Sequence, residues 1–287
     1  MRLPSGRSAA VVLVLLAIVS VQSGAAIAFG LFDRVGYAGA VLLRSLLALP
    51  ILFAVGRPKL SGRSPEELRI LVLFGLALGL MNLSFYAALD RLPLGIAVTI
   101  EFLGPLGVAV FTGQGPLAAA WALLAGLGVV ALAGPFGGSP DGLGIALAAV
   151  AGLCWAAYIL LGARVGRIYP GASALAIGIA IGALIQLPGG IAAGGVDLLA
   201  PEVLAVGAAV AVLSTVIPYA VEIEALRRIH PAPFGILMSL EPAAAALIGL
   251  IALGQDLEAG EVIGILLVVC ASIGAVRTAR LPPPIVD

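Results

Sequence analysis

The stretch Pro93–Phe111, PLGIAVTIEFLGPLGVAVF, carries one charge, Glu101, near its middle. In a soluble protein it would be a core helix with a misplaced carboxylate. In a membrane it is a span with a charge at mid-depth. Composition decides between them. The chain has 287 residues, 62% of them hydrophobic and 10% charged, with a mean hydropathy of +1.20. A soluble domain carries about 25% charged residues. The polar surface here is too small to keep a globule in solution, so the chain reads as an all-α integral membrane protein.

The remaining composition excludes several functions. Net charge is zero, which leaves no basic patch for nucleic acid. Cys154 and Cys270 lie alone in apolar runs and read as two small core thiols. The single histidine, His230, has no metal-ligand cluster around it and no GxSxG nearby, so the sequence offers no cofactor, no metal site and no enzyme.

A span needs about 20 mostly apolar residues. Ten candidates follow along the chain, at roughly 10–32, 35–56, 68–89, 93–112, 116–135, 142–162, 172–193, 202–223, 232–253 and 260–279. The first is longer than a signal-peptide core and is read as a span. With the N-terminus placed in the cytoplasm, twelve basic residues fall on cytoplasmic loops and only Arg34 and Arg91 fall outside, with Arg44 inside the membrane. This is the positive-inside pattern, and it puts both termini in the cytoplasm.

Glu101 has a counterpart. Pro93-Leu-Gly-Ile-Ala-Val-Thr-Ile-Glu101 matches Pro233-Phe-Gly-Ile-Leu-Met-Ser-Leu-Glu241, and Pro105 and Pro242 follow. Gly113-Gln114 and Gly254-Gln255 recur further on. The chain is therefore read as two five-helix repeats, 1–138 and 139–287. An odd number of spans per half inverts the second repeat. Inverted repeats with interrupted helices at mid-membrane are a common plan of secondary transporters. The GxxxG spacings Gly75/Gly79, Gly178/Gly182 and Gly260/Gly264 read as close-packing seams inside the bundle.

The stretch Asn82-Leu-Ser-Phe-Tyr86 through Glu101-Phe-Leu-Gly-Pro105, with Ser214-Thr-Val-Ile-Pro-Tyr219-Ala-Val-Glu222 and Phe234 to Pro242, resembles the threonine/homoserine exporter family. That family is an EamA-type branch of the drug/metabolite transporter superfamily. The resemblance implies a carrier of the bacterial inner membrane that exports small hydrophilic amino acids by proton antiport. Its partners would be an amino-acid substrate, protons and the lipid bilayer. A broader metabolite or drug exporter of the same superfamily is the alternative. One departure stands out: EamA repeats often end this span with Gly-Glu, where this chain has Gly-Gln twice.

A lone charge at the bilayer centre costs roughly 2.5–3.5 kcal/mol. Glu101, Glu241 and Arg44 should therefore face a cavity or one another. An amino-acid zwitterion needs an anion for its ammonium and a cation for its carboxylate. Glu101 or Glu241 would supply the first and Arg44 the second. A buried ion pair that pins helices is the structural alternative. Asn82, Tyr86 and Tyr219 are candidate cavity residues, Glu222 and Arg227 a possible gate, and Trp155 and Tyr158 read more simply as core packing.

Overall fold

In hydrocarbon every backbone N–H and C=O must find a partner within the chain, which leaves the helix as the form for a long apolar run. A computed structural model describes residues 7–58, 61–112, 117–133, 141–169, 172–226 and 237–278. Among them there are helices and turns and no strand. In chain order the helices are α1 Arg7–Gly56, α2 Pro65–Leu89, α3 Leu94–Glu101, α4 Leu103–Thr112, α5 Ala118–Ala133, α6 Gly142–Ile168, α7 Ser173–Gly194, α8 Pro201–Ala211, α9 Ile217–Leu226, α10 Glu241–Leu253 and α11 Ala259–Thr278. A π-helical turn, Val212–Val216, joins α8 to α9. Six helical stretches of the described residues are long and apolar enough to cross a membrane, and three apolar helices are shorter.

The longest helix, α1, folds back on itself. Ser214 donates from Oγ to the carbonyl of Val21 at 3.4 Å and accepts at its own carbonyl from Arg44 at 2.9 Å. Positions 21 and 44 would lie about 34 Å apart along a straight helix. They meet one residue because the chain reverses at Gly36, whose φ of 65° and ψ of 168° break the helix. That φ favours glycine, and a side chain there would also press on Ala193. The break falls four residues beyond the end of the first span expected from hydropathy.

Other boundaries follow local chemistry. Ser64 and Glu67 form a reciprocal cap at the start of α2, where Pro65 needs no amide partner. The Asp141 side chain caps α6 through the amide of Leu143. The span expected over 93–112 is two helices, separated at Phe102 immediately after Glu101. Pro105 has no N–H for the Glu101 carbonyl, which ends the first helix there.

The helices pack closely where glycines meet. A Cβ on Gly79 would lie 2.6 Å from Gly182 Cα, and one on Gly178 would collide with Phe74. Two of the GxxxG spacings thus face each other between α2 and α7, inside the bundle. Gly264 serves the same purpose between α11 and Gly128 of α5.

One end of the bundle is sealed. Tyr86, Leu89, Leu94, Ile96 and Ile100 are buried there in one apolar cluster. Arg34 pairs with Glu202 at 2.7 Å, and Arg91 pairs with Asp141. Arg91 holds the Asp141 carboxyl below its ordinary range. The Gln255 side-chain oxygen accepts from the Leu94 amide at 2.9 Å, so α10's loop caps α3. At the opposite end, Arg63 lies 4.8 Å over the Tyr169 ring.

Candidate functional site

Below the sealed end the helices part around a cavity of about 520 Å³. Arg44, Asn82, Glu101, Glu241 and Tyr219 all line it, although they come from five different helices. Cys154 and Cys270 are free thiols.

Arg44 is held by a defect in the neighbouring helix. Pro218 lacks the N–H that would bond the Ser214 carbonyl four residues earlier. The backbone takes a π-turn over Val212–Val216, with the Ile217 amide bonded to the Val212 carbonyl. Arg44 then donates from Nη2 to the freed Ser214 carbonyl at 2.9 Å and from Nε to Thr215 Oγ1 at 3.0 Å. Its guanidinium lies 5.6 Å over the Tyr86 ring. Two of its five N–H groups are spent on this anchor, which leaves three others.

Tyr86 does not line the cavity. It is fully buried behind Arg44, and its hydroxyl, near Arg44 and Ser214, makes no well-formed hydrogen bond to a described residue. Asn82 lines the cavity and spends one N–H on the Leu78 carbonyl at 2.8 Å.

The two glutamates sit at breaks of their helices. Glu101 is the last residue of α3 and Glu241 the first of α10. Both are buried, at 7% and 6% exposure, and each lies within electrostatic reach of the other. Arg44 acts on Glu101 over the same range. α3 and α10 run antiparallel: Gly95 packs on Ala246, and further from the cavity Leu94 lies against Gly249 and Gln255. Behind Glu101, α6 comes close at Gly152, where a Cβ would sit 2.7 Å from the Glu101 carbonyl oxygen.

Several participants carried no signal strong enough to single them out. Gln22 of α1 donates from Nε2 to Glu241 Oε1 at 3.1 Å. It is an amide in the middle of an apolar span, and the reasoning applied to Glu101 applies to it. Ser45 donates to the Gln186 side-chain oxygen at 2.7 Å, and the Gln186 amide reaches the Gly79 carbonyl at 3.3 Å. This buried network ties α1, α7 and α2 together. Trp155 and Tyr158, read from sequence as core, both line the cavity, as do Phe85 and Phe102. The Glu222 side chain, Arg227 and the pair Gly113-Gln114 lie outside the described residues.

Comparison with known proteins agrees with this architecture. Residues 142–277 match the EamA-like transporter family. The threonine/homoserine exporter RhtA of Salmonella typhimurium (strain LT2) is 42% identical over 278 residues, which is 96% of this chain and 94% of that protein. RhtA of Escherichia coli (strain K12) is 42% identical over 273 residues, 94% of this chain and 92% of its own. A solved crystal structure superposes with a TM-score of 0.63 at 20% identity, covering 96% of this chain and 97% of that one, and this likeness speaks for the fold alone. Identity at this level over nearly the whole length places the chain in the family of the threonine/homoserine exporters, within the EamA-like transporters.

Proposed function

We propose that this chain is a secondary transporter of the bacterial inner membrane that exports small hydrophilic amino acids of the threonine/homoserine type in exchange for protons. The observation that carries this reading is one buried cavity bearing a guanidinium and two carboxylates, Arg44, Glu101 and Glu241. A zwitterion matches that set. Its carboxylate takes the other donors of Arg44, and its ammonium takes the carboxylates. The relatives named above carry the substrate assignment. Proton coupling follows from chemistry: a carboxylate that binds either an ammonium group or a proton links the two flows.

The arrangement proposed for this cycle is ten spans in two inverted halves, 1–138 and 139–287, with both termini cytoplasmic. The antiparallel pairing of α3 with α10 supports it, as does the position of the two matched glutamates on one cavity. Under this orientation the sealed end faces outward. The cavity then lies on the cytoplasmic side of that seal, as an exporter waiting for substrate requires. Glu222 and Arg227 remain candidates for the cytoplasmic gate.

The test uses proteoliposomes with an imposed proton gradient and labelled homoserine or threonine. Gradient-driven accumulation by the wild type, lost in Glu101→Gln, is the expected result. Absence of flux for both amino acids refutes the substrate assignment. A broader metabolite exporter is the second reading, because Phe85, Phe102, Trp155, Tyr158 and Tyr219 give the cavity an aromatic wall. Uptake of bulky apolar cations in the same vesicles, with no flux of either amino acid, would establish it.

A further inference from the structure

Glu101 and Glu241 occupy the same place in the sequence motif but different surroundings in the fold. Glu241 is tethered by the Gln22 amide at 3.1 Å. It opens α10, where the helix dipole favours a negative charge. Glu101 lies between the C-terminus of α3, whose dipole opposes a negative charge, and the N-terminus of α4, whose dipole favours one, so it gains no net support from them. Among the described residues no hydrogen bond or salt bridge holds its carboxylate. An amide has no proton to give up, so the Gln22 tether persists whatever the pH.

We infer that the two glutamates divide the work: Glu241, positioned by Gln22, is the standing anion for the substrate ammonium, and Glu101 is the carboxyl that exchanges the proton. This rests on the amino-acid/proton exchange proposed above. Between two neighbouring carboxylates there is room for one cation. When the ammonium is bound, Glu101 is ionised. When the ammonium leaves toward the outside, Glu101 takes a proton there, and the next substrate displaces that proton into the cytoplasm. One proton enters for each zwitterion exported, and no covalent bond other than the O–H at Glu101 forms or breaks. Among the described residues, the charged and titratable groups that face Glu101 are Arg44 of α1, Glu241 of α10, Cys154 and Tyr158 of α6 and Tyr219 of α9, with Tyr86 of α2 behind Arg44.

The experiment compares two modes of transport in proteoliposomes of the full-length protein. Homoserine/homoserine exchange needs no net proton movement, whereas accumulation driven by the gradient does. Glu101→Gln is expected to keep exchange, to lose gradient-driven accumulation and to show exchange that no longer falls at low pH. Glu241→Gln is expected to lose both modes. Gln22→Leu is expected to raise the KM for exchange about tenfold or more at an unchanged maximal rate, as for a lost hydrogen bond to a charged group. Should either variant not purify as a monodisperse protein, Glu101→Asp and Glu241→Asp replace them: Glu101→Asp keeps gradient-driven flux, while Glu241→Asp raises KM. Exchange lost in the 101 variant, or retained in the 241 variant, overturns the division. An unchanged KM in Gln22→Leu removes the role of Gln22. A wild type that exchanges neither amino acid refutes the export reading itself.

Discussion

Gly152→Ala tests whether the crossing of α6 behind Glu101 positions the site. The added Cβ would lie 2.7 Å from the Glu101 carbonyl oxygen and 3.3 Å from its Cα. Carbon–oxygen contacts between packed backbones run at about 3.3–3.6 Å. One of the two helices must therefore move by roughly 0.6–0.9 Å, and no flexible side chain is present to absorb it. Overpacking of this kind costs about 1–3 kcal/mol. Replacing a helical glycine by alanine returns about 0.5–1 kcal/mol. The net loss of about 0.5–2 kcal/mol lowers the melting temperature by a few degrees. The effect on transport is larger, because a displacement approaching 1 Å at a site can cost about a hundredfold. Homoserine exchange should fall by roughly tenfold or more. Gly166→Ala is the internal control: it lies on the same helix with no atom within 4 Å of its added Cβ, and it should be neutral or stabilising. Thermal unfolding in detergent and exchange in vesicles give both readouts. A Gly152→Ala protein that melts like Gly166→Ala and transports like the wild type would refute the reasoning.

Pro218→Ala restores an N–H to compete for the Ser214 carbonyl. Relief of the proline, about 3 kcal/mol, and loss of the Arg44 bond, about 1.5–3 kcal/mol, nearly cancel, so the melting temperature should hold while the KM for exchange rises several-fold. Gln255→Leu leaves the Leu94 amide without its acceptor and should cost about 1 kcal/mol by thermal unfolding. Gln255→Glu restores the residue common in EamA repeats, keeps an acceptor at the start of α3 and should melt at or slightly above the wild type. Asp141 has its carboxyl held below the ordinary value by Arg91 and the α6 amides. Its contribution is therefore present above the unfolded-state pKa of about 3.9 and is lost as pH falls through the lower folded value. Asp141→Asn keeps a capping oxygen but loses the pairing, and melting curves from pH 3 to 6 should show a weaker fall at the acid end.

Much of this architecture was legible because the membrane imposes one-dimensional rules. Span length, the glutamates at mid-depth and the recurring Pro-x-Gly motif are all properties of the order of residues along the chain. The helix breaks near Glu101 and Glu241 were also foreshadowed, since a proline removes a donor wherever it stands. Tyr86 and Trp155 were less legible. Both are aromatic residues in apolar spans, yet one backs Arg44 and the other faces the cavity. Which side of a helix meets a cavity depends on how all the helices pack, and hydropathy along one strand of sequence does not encode it.

The sequence by itself determined a membrane-spanning helical chain with an internal repeat, and the three charges that had to be sheltered from lipid. Only the tertiary structure decided who shelters them. Arg44 is held by a carbonyl 170 residues away, and Glu241 by Gln22, 219 residues away. Hydrogen bonds act over about 3 Å, so their partners are chosen by the packing of helices and not by distance along the chain.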